Sequence, residues 1–327
     1  MRGGLAVIAT SLTALLVACG GDESPSRPDA GPSRTEPSPA ERPTAAAFPA
    51  ASGESLQAIA DQAKAGPQVG LATSVIVPGR QRLAFGLIDQ SGKLLELPAA
   101  VYVARSPSGR AQGPFLAPQD PLTVAPEFRS KTGAGSGGGV SAIYGADVRF
   151  PRPGRYAVLV LASQAGQLTG AATQVTVRRR APVPAIGQPA PRIATDTVAS
   201  AGGDIAKIDT RVPPDDMHKV SLDDVLGKRP VAILFSAPSQ CETRTCGPVL
   251  DVAAQLDRTY GRQMTFIHQE PYAGNQERNG LNRPAKAFGL PTEPWLFTID
   301  RRGRIAARLE GAFGVRAFTR AVQAALR

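Results

Sequence analysis

The sequence predicts a multi-domain chain in which an all-β sandwich is followed by an α/β layer sandwich. Three observations carry this. Period-two apolar runs fill residues 69–180, strand and helix patterns alternate after residue 186, and a stretch rich in Pro, Ser and Ala precedes both. At 327 residues with 42% apolar content the chain can bury more than one core. Its 34 Gly and 30 Pro require linkers and long loops beside the folded parts. The formal charge of +10 comes from Arg scattered along the chain, with short runs only at residues 178–180 and 301–304. No basic patch is interleaved with aromatics, so nucleic acid is not an expected partner.

Residues 1–18 begin with a positive charge at Arg2, pass through an apolar stretch and end in small residues, the pattern of an export signal. The tetrapeptide LVAC, residues 16–19, followed by Gly20, resembles the lipobox of bacterial lipoproteins. That resemblance implies that the Cys19 thiol carries a diacylglycerol anchor, at the extracytoplasmic face of the cell membrane. Residues 19–66 are read as a disordered tether, because so few aliphatic side chains cannot offset chain entropy. Residues 55–64 either continue it or form a short amphipathic helix with Leu56, Ile59 and Ala60 on one face.

Residues 67–180 hold runs that read as short strands: LATSVIV (71–77), RLAFGLID (82–89), AAVYVA (99–104), SAIYGADVRF (141–150), GRYAVLVLAS (154–163) and AATQVTV (171–177). Six or seven strands over this length suggest a sandwich of immunoglobulin-like type. The stretch FPRPGRYAVLV resembles the turn and tyrosine-bearing strand late in such domains. The run GAGSGGG (133–139) is a loop and not a phosphate cradle, since neither a Lys-Ser or Lys-Thr pair nor a helix follows it. This domain offers no catalytic constellation.

Residues 178–184 read as a basic, proline-bearing hinge into a second domain, 181–327. There, expectations are a short helix and buried strand over 220–235, a helix over 249–259 and a strand over 263–270. A hairpin over 294–311 and a final helix over 315–326 complete the α/β sandwich. Cys241 and Cys246 lie between the first core strand and its helix. A helix N-terminus stabilises the thiolate, which is the attacking species. Cys246, followed by Gly247-Pro248, suits the first helical turn and is favoured as nucleophile, with Arg244 nearby; the reverse assignment, Cys241 attacking, stays open.

This order resembles the thioredoxin superfamily. IGQPAP resembles the entry to TlpA-like thiol oxidoreductases and peroxiredoxins, LDDVLGKRPVAILF their lead-in to the first core strand, and PWLFTIDRRGRI the strand after their cis-proline. The resemblance implies a thioredoxin-like three-layer sandwich over residues 186–327. It places Pro294 at the cis-proline position and implies that Glu293 offers its backbone to an extended substrate. It also implies thiol-disulfide exchange on exported thiol- or disulfide-bearing proteins, with no cofactor and no metal. The chain departs from the pattern in its C-x4-C spacing, in Val249 where a CGPC motif has its second cysteine, and in Leu234 where thioredoxins carry a buried acid. Two other functions are therefore weighed: a non-enzymatic envelope-binding lipoprotein with a structural disulfide, and a copper chaperone resembling the Sco type. The Sco pattern needs a histidine, and only His218 and His268 exist. His268, like Glu270, is also considered as a proton-transfer partner for the thiols.

Overall fold

The computed structural model describes residues 42–131, 140–241 and 245–327. Cys19, the expected signal segment, the glycine run at 133–139 and Arg244 lie outside the described residues.

After a 3-10 turn at Ala45–Ala47, the first α-helix is α1 (Leu56–Ala60), whose first turn is capped by Ser55: its hydroxyl accepts from the Ala58 amide at 3.1 Å. Strands β1 (Lys64–Ala65), β2 (Gln68–Leu71), β3 (Gly79–Ile88), β4 (Ala99–Ala104), β5 (Gln112–Leu116), β6 (Gln119–Pro121), β7 (Ala142–Phe150), β8 (Gly154–Gln164) and β9 (Gln167–Val177) follow. They form two sheets, ordered β1-β9-β8-β4-β5 and β2-β3-β7-β6. Alternate residues meet between them: Tyr144, Ala146, Val148 and Phe150 of β7 face Tyr156, Val158, Val160 and Ala162 of β8 across one core.

The other face of β4 and β8 is also apolar, with Ala100, Tyr102, Leu159 and Leu161. Phe48, Leu56 and Ile59 cover it, and the Tyr102 hydroxyl donates to the Pro49 carbonyl at 2.6 Å. This corrects the expected tether: its last part, from the first described residues onward, is packed, because the outer face of the sheet supplies the apolar partner that the segment's own composition lacks. The expected strand at 71–77 is corrected as well. β2 stops at Leu71, and the amides of Ser74 and Val75 go to the Glu310 carboxylate instead of to a strand neighbour.

The C-terminal lobe contains α2 (Leu222–Val225), β10 (Val231–Phe235), α3 (Cys246–Tyr260), β11 (Thr265–Gln269), α4 (Arg283–Ala287), β12 (Trp295–Ile299), β13 (Ile305–Glu310) and α5 (Val315–Leu326). Its sheet runs β11-β10-β12-β13, with β10 and β11 parallel and β12 antiparallel to β10 and β13. Every side chain of β10 is buried. Ala232 and Leu234 pack on α3 and α5, while Val231, Ile233 and Phe235 pack toward Leu222, Ala285 and Phe288. A strand covered on both faces explains the unbroken apolar run.

The described residues of the two lobes belong to one compact unit. Leu122, Val124 and Ile143 of the sandwich belong to the same core as α3 and α5. Asp120 of β6 accepts the backbone amides of Gly314, Arg316 and Ala317 at 2.9–3.1 Å, so the cap of α5 comes from the other lobe. Gly311, at φ 67°, passes so close to Ala72 that a Cβ there would lie 1.7 Å from its carbonyl oxygen. The stretch expected to be a hinge is pinned: Val183 is buried, and Arg308 donates to the carbonyls of Val183 and Pro184.

Asp120→Ala leaves three backbone amides without their partner, two of them buried, and removes a counter-charge near Arg82. It is expected to lower stability by about 2 kcal/mol. Urea unfolding measures this; a loss within the scatter of ordinary surface substitutions would mean that the cap is redundant.

Candidate functional site

Cys241 and Cys246 are joined in a disulfide with their Cα atoms 6.0 Å apart. Cys246 is the first residue of α3, directly after Thr245, and is fully buried; Cys241 is only half-buried. The backbone amide of Cys246 donates to the Cys241 sulfur at 3.3 Å. A free amide at a helix N-terminus thus points at the more accessible sulfur. The sequence-based preference for Cys246 as the attacking group runs against this geometry, because helix position alone carried no information about burial.

The Glu293–Pro294 peptide bond is cis, and Pro294 leads into β12, the neighbour of β10. The Glu293 side chain turns inward: its carboxylate accepts the Ala237 amide at 2.6 Å, just beyond β10. Burial pushes its carboxyl up to about 8, with Glu270 and Glu277 adding to the effect against the Ala237 bond. Glu293 is thus a partly buried acid on the cis-proline loop, beside the end of β10. Leu234 itself is apolar core. Thr245, Thr292, Glu293 and Pro294 line one wall of a cleft of about 1250 Å³, and Ala72, Lys93 and Glu96 of the sandwich line the other.

The two histidines, far apart in sequence, come together. His218 Nε2 and His268 Nδ1 lie 3.1 Å apart. Around them stand Asp209 and Asp215, and all four side chains are buried. His268 Nδ1 is 2.9 Å from Asp215 Oδ2 and 3.8 Å from Asp209 Oδ1; His218 Nε2 is 3.5 Å from Asp209 Oδ2 and 3.6 Å from Asp215 Oδ1. The loop carrying Asp209, Asp215 and His218 is held to β11 by the His268 amide, which donates to the Met217 carbonyl at 3.1 Å. Burial alone would push the His268 imidazole down; Asp215, then Asp209 and Glu270, outweigh it and hold it up to about 10. The Asp215 carboxyl is held down at about 2, its desolvation being overcome by His268 and His218. Sequence reasoning missed this cluster because it paired His268 only with the cysteines. The available local signal was Asp215, three residues before His218, with Asp209 a further six residues upstream; nothing local tied them to His268.

The cluster and the disulfide share one neighbour. His268 Nε2 meets the Ser236 carbonyl at 3.0 Å, and the Ser236 hydroxyl donates to the Cys246 carbonyl at 3.3 Å. Glu270 instead accepts the amide and hydroxyl of Thr210, at 2.8 and 2.6 Å. Among the described residues no helix is long and apolar enough to cross a membrane.

No protein-family model matches the chain, and no curated protein matches it. Among solved structures it is similar to a thiol:disulfide interchange protein of the thioredoxin family from Chlorobium tepidum TLS, at 22% identity and a TM-score of 0.30, over 44% of this chain and 99% of that one. A candidate thiol:disulfide interchange protein DsbE from Chlorobium tepidum matches at 18% identity and a TM-score of 0.31, also over 44% and 99%.

Between the ordinary carboxyl value of 4.5 and about 8, the folded state keeps a proton on Glu293 that the unfolded chain releases. This group therefore contributes a stability that falls as pH rises through that window. Glu293→Gln keeps the acceptor for Ala237 and removes the titration. In urea unfolding, the stability of Glu293→Gln relative to wild type is expected to rise across that window; a difference that stays constant with pH would contradict the assignment.

Proposed function

We propose that the chain is a lipid-anchored, extracytoplasmic thiol-disulfide oxidoreductase, with a thioredoxin-like C-terminal lobe acting on exported proteins through Cys241 and Cys246. The observation that carries this reading is the asymmetry of the pair: a half-buried Cys241 sulfur receives the first helical amide, and a buried Cys246 lies behind it. A thiolate on Cys241 gains from that amide and from the N-terminus of α3. The strand-helix junction, the cis-proline loop beside it and the adjoining cleft support the same reading. The anchor rests on LVAC and Cys19, and the export address on residues 1–18. The N-terminal lobe is proposed to be immunoglobulin-like. In its favour, the Tyr156 hydroxyl of β8 donates back to the Arg152 carbonyl at 3.1 Å, a tyrosine-corner arrangement.

In the oxidised form, a substrate thiolate attacks the Cys241 sulfur; the Cys241–Cys246 bond breaks and Cys246 leaves as a thiolate. A second substrate thiolate then attacks the substrate sulfur of the mixed disulfide. Substrate disulfide forms, Cys241 leaves as a thiolate, and two electrons reside on the protein. The reverse sequence reduces a substrate disulfide. Pro294 and the backbone of Glu293 are proposed to hold the extended substrate segment beside Cys241.

The test uses single-cysteine variants and a dye-labelled peptide disulfide. Cys246→Ser is expected to form a stable mixed disulfide with the peptide, and Cys241→Ser to form little. If neither variant captures the peptide while the wild-type disulfide resists dithiothreitol, the pair is a structural staple and the lobe a binding scaffold.

A further inference from the structure

We propose that Asp209, Asp215, His218 and His268 form a structural site for one divalent first-row transition-metal ion, of the zinc class. One ligand atom from each lies within 4.8 Å of all the others. His218 Nε2 lies 3.5 Å from Asp209 Oδ2 and 3.6 Å from Asp215 Oδ1, His268 Nδ1 lies 3.8 Å from Asp209 Oδ1 and 2.9 Å from Asp215 Oδ2, and the two nitrogens are 3.1 Å apart, so each carboxylate spans both imidazoles with its two oxygens. Four ligands at ordinary zinc-to-nitrogen and zinc-to-oxygen distances, placed tetrahedrally, stand about 3.3 Å from one another.

Orientation carries the inference beyond proximity. The His268 Nε2 meets a carbonyl, Ser236, and a carbonyl only accepts, so Nε2 bears the hydrogen. An ion that displaces the Nδ1 proton would meet that nitrogen's lone pair, which faces His218 Nε2. A carbonyl bound to the outer nitrogen is the usual support for a metal-bound histidine. Asp215 Oδ2 is buried and lacks a hydrogen bond of suitable angle, even though it lies 2.9 Å from His268 Nδ1. The carboxylates are themselves positioned by backbone amides: Asp209 accepts from Arg211 and Asp215, and Asp215 accepts from Met217, each at 2.8 Å.

Two imidazoles with two carboxylates make a borderline donor set that suits zinc, and disfavours the soft ions chosen by thiolates. All four positions come from the protein, the pattern of a closed structural site. An ion there would tie the loop of Asp209–His218 to the end of β11. Through Ser236 it would also brace the start of α3, where Cys246 sits. Neither cysteine is a ligand, so the proposal is independent of the redox reading.

The experiment takes the disulfide-intact full chain, strips it with a chelator, and titrates it with Co2+ by absorbance and with Zn2+ by calorimetry. A single equivalent of Co2+ with the ligand-field band of a tetrahedral nitrogen-oxygen site, displaced by Zn2+, is expected. Zn2+ should also raise the thermal midpoint. Asp215→Asn and His218→Gln should each weaken Zn2+ binding more than about tenfold. The proposal is overturned if the stripped wild type takes up no stoichiometric Co2+ or Zn2+, or if binding survives in both variants. A Co2+ spectrum dominated by thiolate charge transfer, which would put the ion on cysteine, also overturns it. The wild-type stoichiometry decides the matter even if a variant does not fold.

Discussion

The carboxylate of Asp120 caps a helix that belongs to the other half of the molecule. Without it the first amides of α5 would be buried unpaired, since Gly314 has no side chain to serve as cap. The same logic recurs at Glu310, which accepts from Ser74 and Val75 of the sandwich, and at Asp251 of α3, which accepts from Ser130 and pairs with buried Arg211. Each acid satisfies polar groups that the lobe interface removes from water. With Leu122, Val124 and Ile143 completing the core under α3 and α5, the cysteine-bearing lobe depends on the sandwich for both its apolar and its polar satisfaction.

That dependence fixes the functional end of the molecule. β10 is buried on both faces, so its last residue delivers the chain to Ser236 and the cysteine loop from a rigid base. β12 pairs with β10 in antiparallel register, which brings the cis-proline loop and the inward Glu293 to the same end. β11 pairs on the other side and places His268 opposite Leu234. The three neighbouring strand ends thus bring together a disulfide, a partly buried carboxyl and a His-Asp cluster, with Ser236 bonded toward two of them.

How much of this was legible in the sequence follows from what each element depends on. The runs at 99–104, 142–150, 154–164 and 231–235 bury alternating or continuous apolar faces, and their patterns sufficed. β5 and β6 carry Pro and Gln with little apolar periodicity; their neighbours hold them, so they were not visible. Ser74 and Val75 looked like strand but serve Glu310, a residue far along the chain. Phe48 looked like linker because its partner, the outer face of β8, becomes apolar cover only after folding. At the site, the cysteine pair and Pro294 were readable from local motifs. The burial difference between Cys241 and Cys246, the inward turn of Glu293 and the meeting of His218 with His268 are products of tertiary packing. None has a local pattern.

The exchange reading stands or falls on whether the Cys241–Cys246 bond can be opened under biological reductants. Equilibration of the full chain with graded dithiothreitol or glutathione buffers, read by thiol labelling, measures its potential. The account predicts a reversible two-electron transition above the roughly −300 mV below which structural disulfides lie. A bond that remains closed well below that value would contradict it.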